Sequence, residues 1–126
     1  MKSHFFRPKI NFTDNRGYIK DLLYNHSINH ITLISSKRNK IRGNHFHKKT
    51  IQYTFILKGE LIYFWKYLKK NKILCKRLKS GSLIKTPRNL VHAFKFLRST
   101  EILVFSSGLR GGKDYIKDTY PLKLVF

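Results

Sequence analysis

The chain has 126 residues, enough for one domain with one core, and is 41% hydrophobic. It carries 27 Lys and Arg against 6 Asp and Glu, a formal net charge of +21, and a single cysteine, Cys75. These values exclude an internal disulfide and, with no apolar run near the roughly 20 residues that cross a bilayer, a membrane-spanning helix. The lone cysteine fits a reducing, cytoplasmic setting, and the basic opening 1–9 lacks the apolar stretch of a signal peptide. The charge has two readings. One is an anionic partner such as nucleic acid, a membrane surface or a phosphorylated metabolite. The other is compositional drift in a chain crowded with Lys, Asn and Ile. The basic residues are spread along the chain and not gathered in an arm, which predicts only weak, salt-sensitive, non-specific nucleic-acid binding and no membrane partner.

In chain order, residues 9–12 read as a short first strand and Thr13-Asp14-Asn15-Arg16-Gly17 as a turn. Residues 18–23 are a second strand, and the β-branched run 30–35 a stronger one. After a polar loop at 36–40, strands are expected at 41–47 and 52–58, then a turn at Gly59 and an aromatic alternation over 60–67. A hairpin loop at 68–71 leads into a strand over 72–78, with shorter strands at 82–86, 92–96 and 101–106. A flexible loop at 108–112 follows, and the apolar tail 122–126 either adds a strand or packs on a partner subunit. Strands recur about every ten residues and nothing keeps a helical period, so the chain reads as an all-β sandwich or barrel.

Chemistry concentrates at Arg42-Gly43-Asn44-His45-Phe46-His47, with Gln52 five residues on. Strand residues i and i+2 share a face, so His45 and His47 aim at one point and Phe46 aims away. A bend at 48–50 is expected to bring Gln52 back on a neighbouring strand, beside the histidines. A second stretch, Gly81 to His92, reads turn, apolar strand, proline turn, histidine. Three outcomes suit such a set. His45, His47, His92 and Gln52 would hold a divalent transition metal through three nitrogens and an amide oxygen, although glutamine brings no charge to offset the cation. Alternatively, a neutral imidazole would remove a proton beside a ketone while Arg42 holds a negative group. The third outcome is no chemistry, each histidine being a satisfied core residue; converging four polar side chains at a cost argues against it. Thr32, Tyr53 and Tyr63 are further lining candidates, with Gln52, Tyr53 and Tyr63 as substrate-binding residues, though strand tyrosines commonly serve packing alone.

The two stretches resemble the two cupin motifs. The first matches Gly-x5-His-x-His-x4-Glu-x6-Gly from His45 onward, with Gln52 for the glutamate and no glycine at 38 or 39. The second matches Gly-x5-Pro-x-Gly-x2-His-x3-Asn, with Asn89 for the second glycine and Phe96 for the asparagine. This resemblance implies a single antiparallel jelly-roll barrel (cupin) over 1–126. More narrowly, Arg42-Gly43-x-His45-x-His47 with Gln52, the Asp14-Asn15-Arg16-Gly17-Tyr18 turn and Asp114-Tyr115-Ile116-Lys117-Asp118-x-Tyr120 resemble the sugar-nucleotide 3,4-ketoisomerases. Arg-Gly-x-His also resembles the dTDP-4-keto-6-deoxyhexose 3,5-epimerases. The resemblance implies a cytoplasmic, homodimeric, metal-free isomerase or epimerase of a nucleotide-linked 4-keto sugar in surface polysaccharide biosynthesis. His45 is then the catalytic acid/base, His47 joins it in the ketoisomerases, and Arg42 binds substrate. Phe46 departs from the family's small alanine, and His92 with the second motif looks more like a metal-binding cupin. A dioxygenase-like or metal-dependent cupin, or a non-catalytic sugar-binding one, therefore stays as the alternative.

Overall fold

A computed structural model of the chain describes residues 4–108 and 117–125. Its strands are β1 (His4–Phe6), β2 (Phe12–Asp14), β3 (Gly17–Ile19), β4 (His30–Ser36), β5 (Ile41–Phe46), β6 (Ile51–Lys58), β7 (Glu60–Tyr67), β8 (Leu74–Lys79), β9 (Leu83–Thr86), β10 (Leu90–Phe96), β11 (Thr100–Ser107) and β12 (Tyr120–Pro121). One sheet has the order β1-β9-β6-β11-β4 and faces a second of order β12-β5-β10-β7-β8, while β2 and β3 form a separate hairpin. Every pairing is antiparallel. This is the expected all-β jelly roll. No helix among the described residues is long and apolar enough to cross a membrane.

The core follows the period-2 pattern. Along β11, Ile102, Val104 and Ser106 are buried and the residues between them are partly exposed. Ile102 and Val104 join Ile56, Ile84, Leu61, Tyr63, Phe94 and Phe96 between the sheets, each large apolar side chain contributing on the order of 1.5–3 kcal/mol by burial. A second cluster lies on the opposite face of the first sheet, where Leu22, Leu23 and Ile28 cover Tyr53, Phe55 and Leu83.

Several expectations change. The first strand is at 4–6 and pairs with β9, whereas 9–12 is mostly irregular. Only residues 18 and 19 of the 18–23 run are strand, because Leu22 and Leu23 are used as an outer cover and not in a ladder. The bend at 48–50 does not make a hairpin: β5 and β6 belong to different sheets, and the chain crosses from one to the other. The loop 108–112 and Asp114, Tyr115 and Ile116 lie outside the described residues, apart from Gly108.

Asparagine explains the missing glycines. Asn39 and Asn89 stand where the motifs have glycine, and both take φ 66°, the left-handed conformation that asparagine tolerates better than most residues. A third, Asn44, has φ 57° and follows Gly43 at φ 95°. Together they bulge β5: His92 is opposite His45, and Ala93 opposite Gly43, leaving Asn44 as the extra residue. The bulge turns Asn44 toward the tail. Its Nδ2 donates to the Val125 carbonyl at 2.7 Å, and its Oδ1 accepts from Leu124 N at 2.8 Å and Val125 N at 3.0 Å. The tail thus packs on its own chain, with β12 adding an edge strand beside β5.

Gly43 permits this bulge sterically as well as conformationally. A Cβ there would lie 2.8 Å from the His92 carbonyl oxygen and 3.0 Å from Ala93 Cα, both backbone atoms that cannot yield. Gly43→Ala is expected to cost about 1–3 kcal/mol, read as a lowered urea midpoint. An unchanged midpoint would show that β5 relaxes without the bulge.

Candidate functional site

The bulge also decides where the site residues point. Arg42 and His45 are three apart and would lie on opposite faces of a regular strand. With one extra residue between them, His45 pairs with His92 and Arg42 with Phe94, so both share the inward face. His47, just beyond β5, keeps the parity of His45. The three imidazoles converge as expected. Ring centroids are 4.8 Å apart for His45 and His47, 4.7 Å for His45 and His92, and 5.4 Å for His47 and His92. One nitrogen from each lies within 4.8 Å of the others, with His45 half-buried and the other two buried. This set fits a divalent cation by donor type, and it fits a proton carrier equally well.

Two of the rings are fixed in one tautomer. His47 Nδ1 donates to the Asp118 carbonyl at 2.7 Å, and His92 Nδ1 donates to the Leu90 carbonyl at 3.0 Å. A carbonyl only accepts, so in the neutral ring the lone pair is on Nε2 in both cases.

Asp118 organises the end of β5. Its carboxylate accepts from Lys48 N and Lys49 N, each at 3.0 Å, and from the Thr50 hydroxyl at 2.7 Å. These bonds hold the 48–50 bend from a residue about 70 positions away. Burial alone would raise the Asp118 pKa. Donation from Thr50, Lys48 and Lys49 and the nearby charge of His47 outweigh it and hold the carboxyl below its usual value. On the outer face, Phe46 stacks on Tyr120 at 5.3 Å, and Lys48 Nζ lies 4.4 Å from the same ring. The bulky Phe46 thereby gains a partner on β12 without entering the cavity.

The first sheet supplies the opposite wall. Gln52 pairs with Ser106 on β11 and Thr86 on β9, and Ser106 pairs with His30 on β4. These residues have the parity of the core residues Ile56, Val104, Ile84 and Ile34 and so face inward. Gln52 therefore faces the histidines from across the barrel and is not beside them on an adjacent strand. Thr32 is on the same inward face of β4. Tyr63 is fully buried and its hydroxyl lies 2.8 Å from Thr86 Oγ1, a bond that links the two sheets. Tyr53 is a correction: its parity is opposite to that of Gln52, and it packs in the outer cluster with its ring 4.9 Å from His26. Arg42 is exposed; its Nε donates to Ser36 Oγ at 2.7 Å and its Nη2 to the Ser35 carbonyl at 3.1 Å, latching β5 to the end of β4.

The rim at this end is basic. An open groove of about 740 Å³ is lined by Lys69, Lys70, Arg88 and Asn89 with Tyr67, Leu68 and Leu90. It joins the histidine end of the barrel, because Asn89 N donates to the His47 carbonyl at 2.7 Å and Arg88 Nε to the Lys49 carbonyl at 3.2 Å. Sequence reasoning gave no role to Asp118, His30, Ser106 or Thr86. Asp118 had two available signals, as one of 6 acids in a chain of +21 and as a member of the C-terminal segment that resembles the ketoisomerases. The others required the strand register.

A family model described as Polysaccharide biosynthesis C-terminal domain matches residues 12–107. Among solved structures, a dTDP-4-dehydrorhamnose 3,5-epimerase from Sulfolobus tokodaii is 16% identical, with TM-score 0.76 over 93% of this chain and 74% of that one. A 3,4-ketoisomerase from Helicobacter canadensis is 21% identical, with TM-score 0.76 over 94% of this chain and 92% of that one. A sugar 3,4-ketoisomerase from Thermoanaerobacterium thermosaccharolyticum, solved in complex with TDP, is 18% identical, with TM-score 0.72 over 93% and 85%. At these identities the likeness establishes the fold. No curated protein matches the chain.

Proposed function

The chain belongs to the polysaccharide biosynthesis C-terminal domain family, and from that premise we propose that it isomerises or epimerises a nucleotide-linked 4-keto sugar in the cytoplasm. The observation that carries this reading is the convergence of His45, His47 and His92 inside the barrel, below a basic rim. Structural neighbours that are dTDP-sugar epimerases and sugar 3,4-ketoisomerases support it.

In this mechanism the sugar enters the barrel mouth and Lys69, Lys70 and Arg88 meet the diphosphate. His45, the most accessible of the three imidazoles, takes a proton from carbon beside the ketone, with His47 as the second candidate. Arg42, on the same face, stabilises negative charge on the substrate or its enolate. The proton returns at the neighbouring carbon in a ketoisomerase, or to the opposite face in an epimerase. Incubation with dTDP-, UDP- and GDP-4-keto sugars in deuterated water tests this. Deuterium is expected at carbon 3 or 5 of one of them. No exchange with any, together with tight binding of an unmodified sugar nucleotide, would leave a non-catalytic binding domain.

A metal-dependent reading is favoured by one observation, the spacing of the three imidazole nitrogens within 4.8 Å. His45, His47 and His92 would hold the ion, which when bound would act as a Lewis acid on a carbonyl. Gln52 adds no charge to the set, so protein purified without added metal is expected to hold little by elemental analysis. Stoichiometric metal that is lost in His92→Ala would establish the metal-dependent reading instead.

The proposal includes a homodimer. Ile31 and Leu33 are 65% and 58% exposed on the outer face of β4, an edge strand, and exposed apolar edge surface favours covering by a second copy. Light scattering is expected to give twice the chain mass, reverting to one in Ile31→Asp. A monomer at high concentration would refute the dimer.

A further inference from the structure

The wall opposite the histidines holds two polar atoms that the fold itself does not explain. Ser106 is fully buried, and His30 Nδ1 is buried although its residue is only half-covered. Neither Ser106 Oγ nor His30 Nδ1 has a hydrogen-bond partner among the described residues. They are direct cross-strand neighbours on β11 and β4, on the inward face. Burying a polar group without a partner costs stability, and native proteins rarely keep one without use. The same rung shows the alternative, since Thr86 meets the Tyr63 hydroxyl at 2.8 Å and is satisfied.

We propose that His30 and Ser106 form a hydroxyl-recognition pair for the pyranose ring, and that this pair sets which carbon lies over His45. The inference rests on the function proposed above. The chemistry of the pair selects the ligand group. An imidazole nitrogen and a serine hydroxyl can each donate or accept, and a sugar hydroxyl needs both. Neither residue carries an obligatory charge, so the pair does not suit a phosphate, for which Lys69, Lys70 and Arg88 at the rim are the better match. The two walls have different tasks. The second sheet presents proton carriers to one side of the ring. The first sheet grips a ring hydroxyl from the other side and fixes the rotation of the ring about its nucleotide link. Carbon 3 and carbon 5 flank the ketone, so that rotation decides which of them meets His45. A site built to bond a hydroxyl discriminates strongly against an analogue that lacks it.

Titration calorimetry with dTDP-4-keto-6-deoxyglucose, its 3-deoxy analogue and dTDP alone tests the pair on wild type, Ser106→Ala and His30→Leu. Ser106→Ala is expected to fold with an unchanged or higher Tm, since it removes a buried polar atom without a partner. The expected result is about tenfold weaker binding of the keto sugar in each variant. Binding of dTDP should stay within about twofold, and the variants should bind the 3-deoxy analogue as wild type does. Keto-sugar binding that is unchanged, or that falls in step with dTDP, would overturn the pair while leaving the enzyme reading intact. A wild type that binds the keto sugar no more tightly than dTDP would overturn both.

Discussion

Replacing His45 by asparagine is expected to lower solvent-deuterium incorporation into the keto sugar by about 10²–10⁴-fold, the usual contribution of a positioned acid/base group. Asparagine keeps a polar side chain of similar size, so the fold and substrate affinity should change little. His45 is the variant of choice because it is the half-buried member of the cluster, whereas His47 and His92 are buried and their Nδ1 atoms hold the Asp118 and Leu90 carbonyls. His47→Asn confounds two effects, the loss of a candidate base and the loss of the bond to the Asp118 carbonyl. His92→Asn separates the proton and metal readings. With proton transfer through His45, it should retain far more exchange than His45→Asn. With a metal, all three variants should lose bound ion and activity together. Exchange in His45→Asn at the wild-type rate would remove His45 from the chemistry.

The sequence made the histidine convergence legible through parity. A spacing of two places His45 and His47 on one face wherever the strand sits, and the structure keeps that relation. His92 came from a separate motif and could be assigned to the same cavity only by its likeness to cupins. Arg42 shows how a spacing depends on the backbone between its two residues. Its offset of three from His45 is wrong for a regular strand, and only the Gly43-Asn44 bulge makes it right. Glycine followed by asparagine was the available signal, because both tolerate positive φ. Gln52 and Tyr53 show the opposite limit. Once β6 starts in the other sheet, their alternation sends Gln52 inward and Tyr53 outward, and a reading that placed β6 beside β5 could not distinguish them. The crossing at 48–50 was illegible because its cause, Asp118, is about 70 residues away in sequence. Local turn composition cannot reveal a bend that a remote carboxylate holds.

That remote carboxylate gives the second large expectation. Asp118→Ala should destabilise the protein by about 2–4 kcal/mol, because it removes at once the carboxylate that accepts from two backbone N–H groups and a buried hydroxyl. Asp118→Asn should recover part of this, since its amide oxygen still accepts one or two of those bonds. The pH dependence has a definite sign. The folded carboxyl titrates below its unfolded value, so its contribution is fully present above that unfolded value, 3.8, and is lost as pH falls through the lower folded pKa. Wild type should therefore lose stability on acidification in that window, and Asp118→Asn should lose less, read from urea midpoints between pH 5 and about 2.5. The same substitution should reach the site. Asp118 offers its carbonyl to His47 Nδ1 and its carboxylate to the next three residues, so loosening one loosens the other. Asp118→Asn is expected to shift the pH profile of exchange as well as the stability. Equal acid sensitivity in wild type and Asp118→Asn would mean that another group controls the low-pH transition.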